Sequence, residues 1–453
     1  MPSAAEDRVF RQAFFRNVTD QPLDPAKDGR YEPLYTEDKL QESDPVELMA
    51  WSIESTPGES VQLLSGFRGT GKSTELKRLK NRLEESGYTV ILCDVEDYLN
   101  LTTPVDISDF LMVLAGAFSD RLADPGILGA DPAYETYWTR LRNFLERTKV
   151  QLDGISGKVG VEGASVDIKA NLKSDPTFKQ LLQKHMAGHL GSFVQDVHGY
   201  FEDCVKRIQE KLGFREVVFI VDSIEHIRGT SINAVDVQSS IESLFAGQSD
   251  KLHLPNLHVI YTIHPYLKVR SASLGALYEP GGVRVLPTVK VRTEADRQPF
   301  EPGLEALVRV VARRGDWKRL LGDVSVLHEL ILHSGGHLRD LLRLLAEILR
   351  RAQSLPATKA VVNAAVSQIR NEFLPIADAD AAWLARIART HSAALEDVAK
   401  LPDLARFLDT HLVLCYWNGH EWYDVHPLIY TEILAQAASI QGPTLKPANA
   451  QPA

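Results

Sequence analysis

One octapeptide narrows the choice of fold more than any other stretch of this chain. Gly66-Phe67-Arg68-Gly69-Thr70-Gly71-Lys72-Ser73 fits the spacing GxxxxGK[ST], between a short apolar run at 61–64 and a segment of 3.6-residue periodicity at 73–85. Glycines let such a loop curl until consecutive backbone N–H groups point at one anion, and the helix that follows adds partial positive charge at its N-terminus. In this pattern Lys72 reaches the β- and γ-phosphate oxygens, Ser73 ligates magnesium, and Thr74 closes the phosphate-binding stretch. A strand, a Gly-rich turn, a helix and a second strand at 89–95 predict an α/β fold with a parallel sheet covered by helices.

Length allows more than that one unit, since 453 residues correspond to about three domains. The 50 basic and 60 acidic residues give a net charge of −10, which disfavours indiscriminate nucleic-acid binding because an acidic field repels phosphate. Cys93, Cys204 and Cys415 stand far apart without CxxC spacing, so neither a disulfide framework nor a thiolate metal site is indicated. Charges interrupt the apolar residues of the N-terminus, unlike an export signal, and no apolar run approaches the roughly 18 residues that span a bilayer. The expectation is a cytoplasmic protein with no membrane partner.

Residues 1–44 read as a polar arm laid over a domain without a fold of its own. A core at 45–295 follows, with a helix at 45–53, a helix at 107–122, helical periodicity at 178–212, and strands at 217–221, 258–263 and 283–291. Within it, 123–184 reads as an insertion carrying a β-hairpin, because Val159 and Val161, then Val166, Ile168, Ala170 and Leu172, alternate with other residues about Gly163. Helical patterns at 301–314, 325–333 and 338–353 predict a helical lid at 296–356. Three helices and a hairpin about Asn418-Gly419 give 357–440 the order of a winged-helix domain, in which Trp417, Trp422 and Tyr423 pair across the strands. The tail from 441 has the composition of a disordered segment.

A phosphate loop needs a carboxylate for its magnesium, and the apolar run Val217-Val218-Phe219-Ile220-Val221 ends in Asp222, the natural Walker B residue. Glu225, three positions on, is placed to polarise the attacking water. With both motifs the chain resembles the P-loop ATPases of the AAA+ and STAND groups over most of residues 30–435. AAA+ members commonly carry Glu directly after the Walker B Asp; Asp222-Ser223-Ile224-Glu225 is closer to the STAND spacing, which makes fast hydrolysis the less secure expectation.

The resemblance implies ATP and Mg²⁺ as ligands, and further site residues. Thr262 matches a polar sensor 1 position on a strand lying between those of Walker A and Walker B, although a β-branched residue also suits any strand. Arg339, in Ser334-Gly335-Gly336-His337-Leu338-Arg339-Asp340, resembles the sensor 2 arginine of initiator-like relatives. Tyr35 stands in the segment that holds adenine, and Arg270 and Arg292 are both candidates for an arginine finger. The implied function is an ATP-binding and ATP-hydrolysing switch that controls oligomerisation or a protein partner in bacterial signalling or defence. The alternative is a DNA-associated ATPase of initiator, loader or transposition-regulator type. DNA is the less favoured partner, because the candidate recognition helix at 401–409 offers one Arg against two Asp. His420 and His426 lack a carboxylate or thiolate at ligand spacing, so a structural role is expected of them.

Overall fold

The apolar runs become the strands of one sheet in the computed structural model of the chain: β1 (Ser60–Gly66), β2 (Thr89–Asp94), β3 (Val217–Asp222), β4 (Leu257–Ile263) and β5 (Val283–Leu286). The structure describes residues 4–440 apart from 37–39, 41–42, 125, 130–133, 149–163, 214, 231, 272 and 396. Sheet order is β2-β3-β4-β1-β5, and the pairs β2–β3, β3–β4 and β4–β1 are parallel. Every residue of β1, β3 and β4 is buried, as a parallel sheet with both faces covered requires, which explains why these strands read as continuous apolar runs.

The chain divides into two compact units. One comprises 45–66 and 75–285 and holds the sheet. Its central helix, Ile107–Leu122, starts at a capping box between Asp106 and Asp109 and is buried along nearly its whole length. Phe118 on this helix packs edge-on against Phe219 of β3 and Phe201 of the helix Leu190–Leu212, with ring centroids 5.0 and 5.1 Å apart.

The insertion corrects the hairpin expectation. Its described part is helical, with Tyr137–Arg147, Ala164–Ser174 and Pro176–Ala187, while Val159, Val161 and Gly163 lie outside the described residues. Ile168 and Leu172 are buried while Ala170 between them is exposed. That is the i, i+4 face of a helix; a strand would have turned all three the same way. The helical stretch at 178–212 is likewise two helices, broken at Gly188-His189.

The second unit comprises residues up to 44, 67–74 and those from 286 on. The helices Glu301–Ala312, Trp317–Leu321, Val324–Ser334 and Leu338–Arg351 form the lid, and the last of them has the strongest apolar stripe, with Leu341, Leu344, Leu345 and Ile348 fully buried. The winged helix follows as Lys359–Asn371, Asp378–Thr390, Leu401–Asp409, the antiparallel pair β6 (Val413–Trp417) and β7 (Glu421–Val425), and a closing helix Tyr430–Ile440. The aromatic pairing across this hairpin differs from expectation: Trp422 faces Tyr416 and stacks on it at 4.5 Å, whereas Trp417 faces Glu421. The arm also differs, since Ala4–Asn17 is a helix. Arg11 donates to the Leu349 carbonyl at 3.3 Å, Asn17 to the Arg314 carbonyl at 2.8 Å, and Arg319 pairs with Asp7 at 2.9 Å.

Candidate functional site

The octapeptide lies where its sequence context requires, following β1 and running into the helix Lys72–Glu85. Gly69 and Gly71 take φ of +87° and +101°, a region that side-chain-bearing residues rarely adopt, so the loop curls at both. Lys72, only 4% exposed, folds back and donates to the Phe67 carbonyl at 2.8 Å, while the Thr70 hydroxyl donates to the same oxygen at 2.9 Å. Tyr35 is buried beside the loop, its hydroxyl 3.1 Å from the Thr70 carbonyl and 3.0 Å from the Pro287 carbonyl. Leu23 of the arm donates its N–H to the Thr74 hydroxyl at 3.1 Å. The start of Leu338–Arg351 packs closely on the same loop: a Cβ built on Gly69 would stand 2.7 Å from the Arg339 Cβ and 3.1 Å from the His337 ring. Arg339 forms an ion pair with Asp20, and His337 Nε2 meets the Arg68 carbonyl at 2.8 Å.

In the sheet unit, β1, β3 and β4 run parallel and so end at one edge, the edge at which open α/β sheets bind ligands. Asp222 is the last residue of β3, 4% exposed, and its Oδ1 accepts the N–H of Ser223 at 2.8 Å. Ser223 is left-handed at φ +70°, and this turn aims the chain into the short helix Ile224–His226 that carries the buried Glu225. Thr262 lies on β4, between the strands of the two motifs, and its hydroxyl accepts the Ile224 N–H at 3.0 Å. Its polarity therefore fixes the turn after Asp222, a role no spacing rule announces. Asp94, in register with Asp222, adds a second carboxylate whose pKa is raised by burial against the opposing hydrogen bonds from the Glu96 N–H and the Ser223 hydroxyl. Arg270, one of the two finger candidates, is paired with Glu242.

A buried cluster next to the loop escaped the sequence reading. Asp340 Oδ2 lies 2.7 Å from His337 Nδ1, 3.4 Å from His426 Nε2 and 3.6 Å from His411 Nδ1, and Arg343 Nη1 is 3.1 Å from Oδ1. His426 thus has a carboxylate partner, supplied from 86 positions away in the chain. Burial alone would raise the Asp340 pKa, but the His337 charge and hydrogen bond, with the His411 and His426 rings close by, outweigh it and hold the carboxyl well below the usual range. Burial, with the nearby His337 charge, pushes His411 down to about 3, and burial also lowers His426.

These shifts set a direction for stability. In the unfolded chain a histidine titrates near 6.5, so below about that pH the unfolded state binds protons that folded His411 and His426 refuse. The stabilisation is complete above about pH 6.5 and is lost as pH falls toward about 3 for His411, at about 1.4 kcal/mol per pH unit and proton. Asp340, depressed in the fold, acts in the same sense at lower pH. Thermal denaturation scans are expected to give a Tm that drops steadily from about pH 6.5 to about pH 5, with a shallower drop in His411→Asn; a flat profile there would contradict the cluster's protonation states.

By its own geometry the chain is thus an α/β P-loop NTPase fold, a parallel sheet flanked by helices, with a helical lid and a C-terminal winged helix. No protein-family model matches it, and no curated protein sequence does. Among solved structures it aligns with the ORC2 protein of Aeropyrum pernix in its ADP form at 12% identity, over 94% of this chain and 98% of that one, with a TM-score of 0.45. The Walker-type ATPase PABY2304 of Pyrococcus abyssi aligns at 15% identity over 89% and 98%, with a TM-score of 0.42. Cdc6p from Pyrobaculum aerophilum aligns at 11% over 90% and 96%, with a TM-score of 0.38. Among the described residues no helix is long and apolar enough to cross a membrane.

Proposed function

We propose that the chain binds and hydrolyses ATP and uses its nucleotide state to control lid and winged-helix position. The observation that carries this reading is the built phosphate loop: a buried strand, two glycines at positive φ, a nearly buried lysine and a helix N-terminus in immediate succession. The backbone N–H groups of Gly66, Phe67, Arg68, Gly69, Thr70 and Gly71, with Lys72, Ser73 and Thr74, are the phosphate contacts of this proposal. Tyr35, whose hydroxyl meets two carbonyls, shapes the nucleotide side of the loop.

Asp222 and Ser73 would hold magnesium, since a carboxylate and a hydroxyl are hard oxygen donors of the kind that ion selects. Bound there, the ion would neutralise phosphate charge. Glu225 is the proposed base for the attacking water, held by a turn that Thr262 fixes through the Ile224 N–H. Arg339, packed on Gly69, reports the γ-phosphate to the lid. In Glu225→Gln, ATP affinity is expected within about twofold of wild type while steady-state phosphate release falls roughly a hundredfold or more, the range over which a general base acts. Normal turnover in that variant would place the base elsewhere.

The setting of the switch follows from the order of core, lid and winged helix, which is that of initiator-like ATPases, and we place a DNA-associated role ahead of signalling or defence on that ground. Direct readout by the helix Leu401–Asp409 is not part of it, because Arg406 is engaged by Asp380 at 2.9 Å and Asp403 at 3.3 Å. Homo-oligomerisation and a protein effector belong to the same proposal. Phosphate release with and without duplex DNA at low salt, alongside mass in solution with ATP, tests it. DNA stimulation supports the initiator-like setting, whereas ATP-dependent assembly with no DNA effect returns the chain to the signalling one.

A further inference from the structure

His337 is the member of the Asp340 cluster whose partners leave least freedom. It is fully buried, its Nδ1 faces the Asp340 carboxylate at 2.7 Å, and its Nε2 faces the Arg68 carbonyl at 2.8 Å. The Arg68 carbonyl cannot donate, and Asp340, which faces the Arg343 guanidinium at Oδ1 and the His426 ring at Oδ2, is held as a carboxylate that cannot donate either, so the ring is satisfied only with hydrogen on both nitrogens, as an imidazolium. The other two rings are differently placed. His426 Nδ1 accepts the Leu428 N–H at 3.2 Å, which puts its own hydrogen on Nε2, facing Asp340. The His411 ring lies 4.1 Å from that of His337, centroid to centroid, where a second positive charge would be repelled. Arg343 completes the groups around the pair through Asp340 Oδ1.

We infer that His337 is a positioning residue for the phosphate loop: its imidazolium ties the Arg68 carbonyl to Asp340, and Asp340 carries the tie to His411 and His426, which flank the β6–β7 hairpin. This rests on reading residues 66–73 as a nucleotide loop. One charge-assisted link thereby joins the loop backbone, the first turn of the Arg339 helix and the winged-helix hairpin. The loop carbonyl cannot turn over without stripping a buried cation of a partner. The two residues either side of that link are already in contact, as the close approach of Gly69 to Arg339 shows.

A metal is the competing occupant, since ligand atoms of His337, Asp340 and His411 lie within 4.8 Å of one another. Against it, Asp340 Oδ1 is already engaged by Arg343, and a ligating His337 Nδ1 would have to give up the hydrogen that its carboxylate contact requires.

The test uses the full chain with ¹⁵N-labelled histidine, its ring resonances assigned by single substitutions. In the folded chain His337 is expected to carry hydrogen on both ring nitrogens, and His411 and His426 on one each; a neutral His337 would overturn the proposal. Stoichiometric zinc in the purified protein by elemental analysis would overturn it as well. His337→Gln, which keeps a donor but not the charge, is expected to bind ATP roughly ten- to a hundredfold more weakly, and a folded variant with wild-type affinity would also sink the idea. Should that variant fail to fold, the wild-type ring signature still decides. The signature is expected to persist in Lys72→Ala; a wild-type chain that binds no ATP but keeps a cationic His337 would remove the nucleotide reading, whereas a neutral ring in an ATP-binding wild-type chain would remove only this one.

Discussion

Lys72→Ala is expected to abolish measurable ATP binding while leaving the fold intact. Lys72 is the one cation within the octapeptide placed on the helix side of its glycines, and an ammonium held at 4% exposure would meet the proposed phosphate oxygen in a medium far less polarisable than water. Removing it also deletes the contact to the Phe67 carbonyl that draws the loop closed. Loss of one charge-assisted contact is worth about 1.5–3 kcal/mol and loss of loop preorganisation adds to it, so affinity should fall at least about a hundredfold. Calorimetric titration with magnesium ATP measures this directly. A second readout is ligand-induced stabilisation, which for the wild type reaches about 2.7 kcal/mol when ATP is a hundred times its Kd and should vanish in the variant. Stability without ligand should change little, because Lys72 is the first residue of the helix Lys72–Glu85 and alanine is the best helix former. Unaltered ATP binding would move the nucleotide away from residues 66–73.

What could be read in the sequence was whatever is contiguous in the chain. The strand, loop and helix around Gly66–Ser73 are local, and an apolar run ending in Asp222 marks a strand end with no knowledge of its neighbours. That β4 lies between β1 and β3 was expected from the resemblance and is what the sheet shows. Misreadings arose where one spacing fits two periods. Ile168 and Leu172 are four apart, which suits one face of a strand as well as of a helix, and only the exposed Ala170 between them separates the two. The Asp340 cluster was hidden for a different reason. Its members come from the lid and from both ends of the β6–β7 hairpin, and nothing in local periodicity says that these ends fold over the first turn of Leu338–Arg351. Thr262 shows the intermediate case: its residue type drew notice, but its bond to the Ile224 N–H depends on register between two strands.

Gly336→Ala is expected to destabilise the chain far more than Gly335→Ala, although the two glycines are adjacent and both left-handed, at φ +81° and +62°. Moving a side-chain-bearing residue into that region costs about 1–2 kcal/mol at either position. The surroundings then separate them. A Cβ on Gly336 would stand 1.9 Å from the Val289 carbonyl oxygen and 2.9 Å from its carbon, backbone atoms that cannot step aside singly. On Gly335 the nearest atoms stand farther off and none is a backbone carbonyl: Leu414 Cδ1 at 2.7 Å, Pro427 Cδ at 2.9 Å and the Tyr416 hydroxyl at 3.0 Å. Gly336→Ala should therefore cost roughly 3 kcal/mol or more, and Gly335→Ala about half of that. Because Gly336 immediately precedes His337, relief of the clash must shift the first turn that carries His337 and Arg339 against the Arg68 carbonyl and Gly69. Lost stability and lost ATP affinity should thus appear together in Gly336→Ala, in contrast to Lys72→Ala, where affinity goes and stability stays. Denaturant unfolding paired with ATP titration of the same three variants distinguishes these patterns, and equal stability of the two glycine variants would contradict the close packing of Gly336 on Val289.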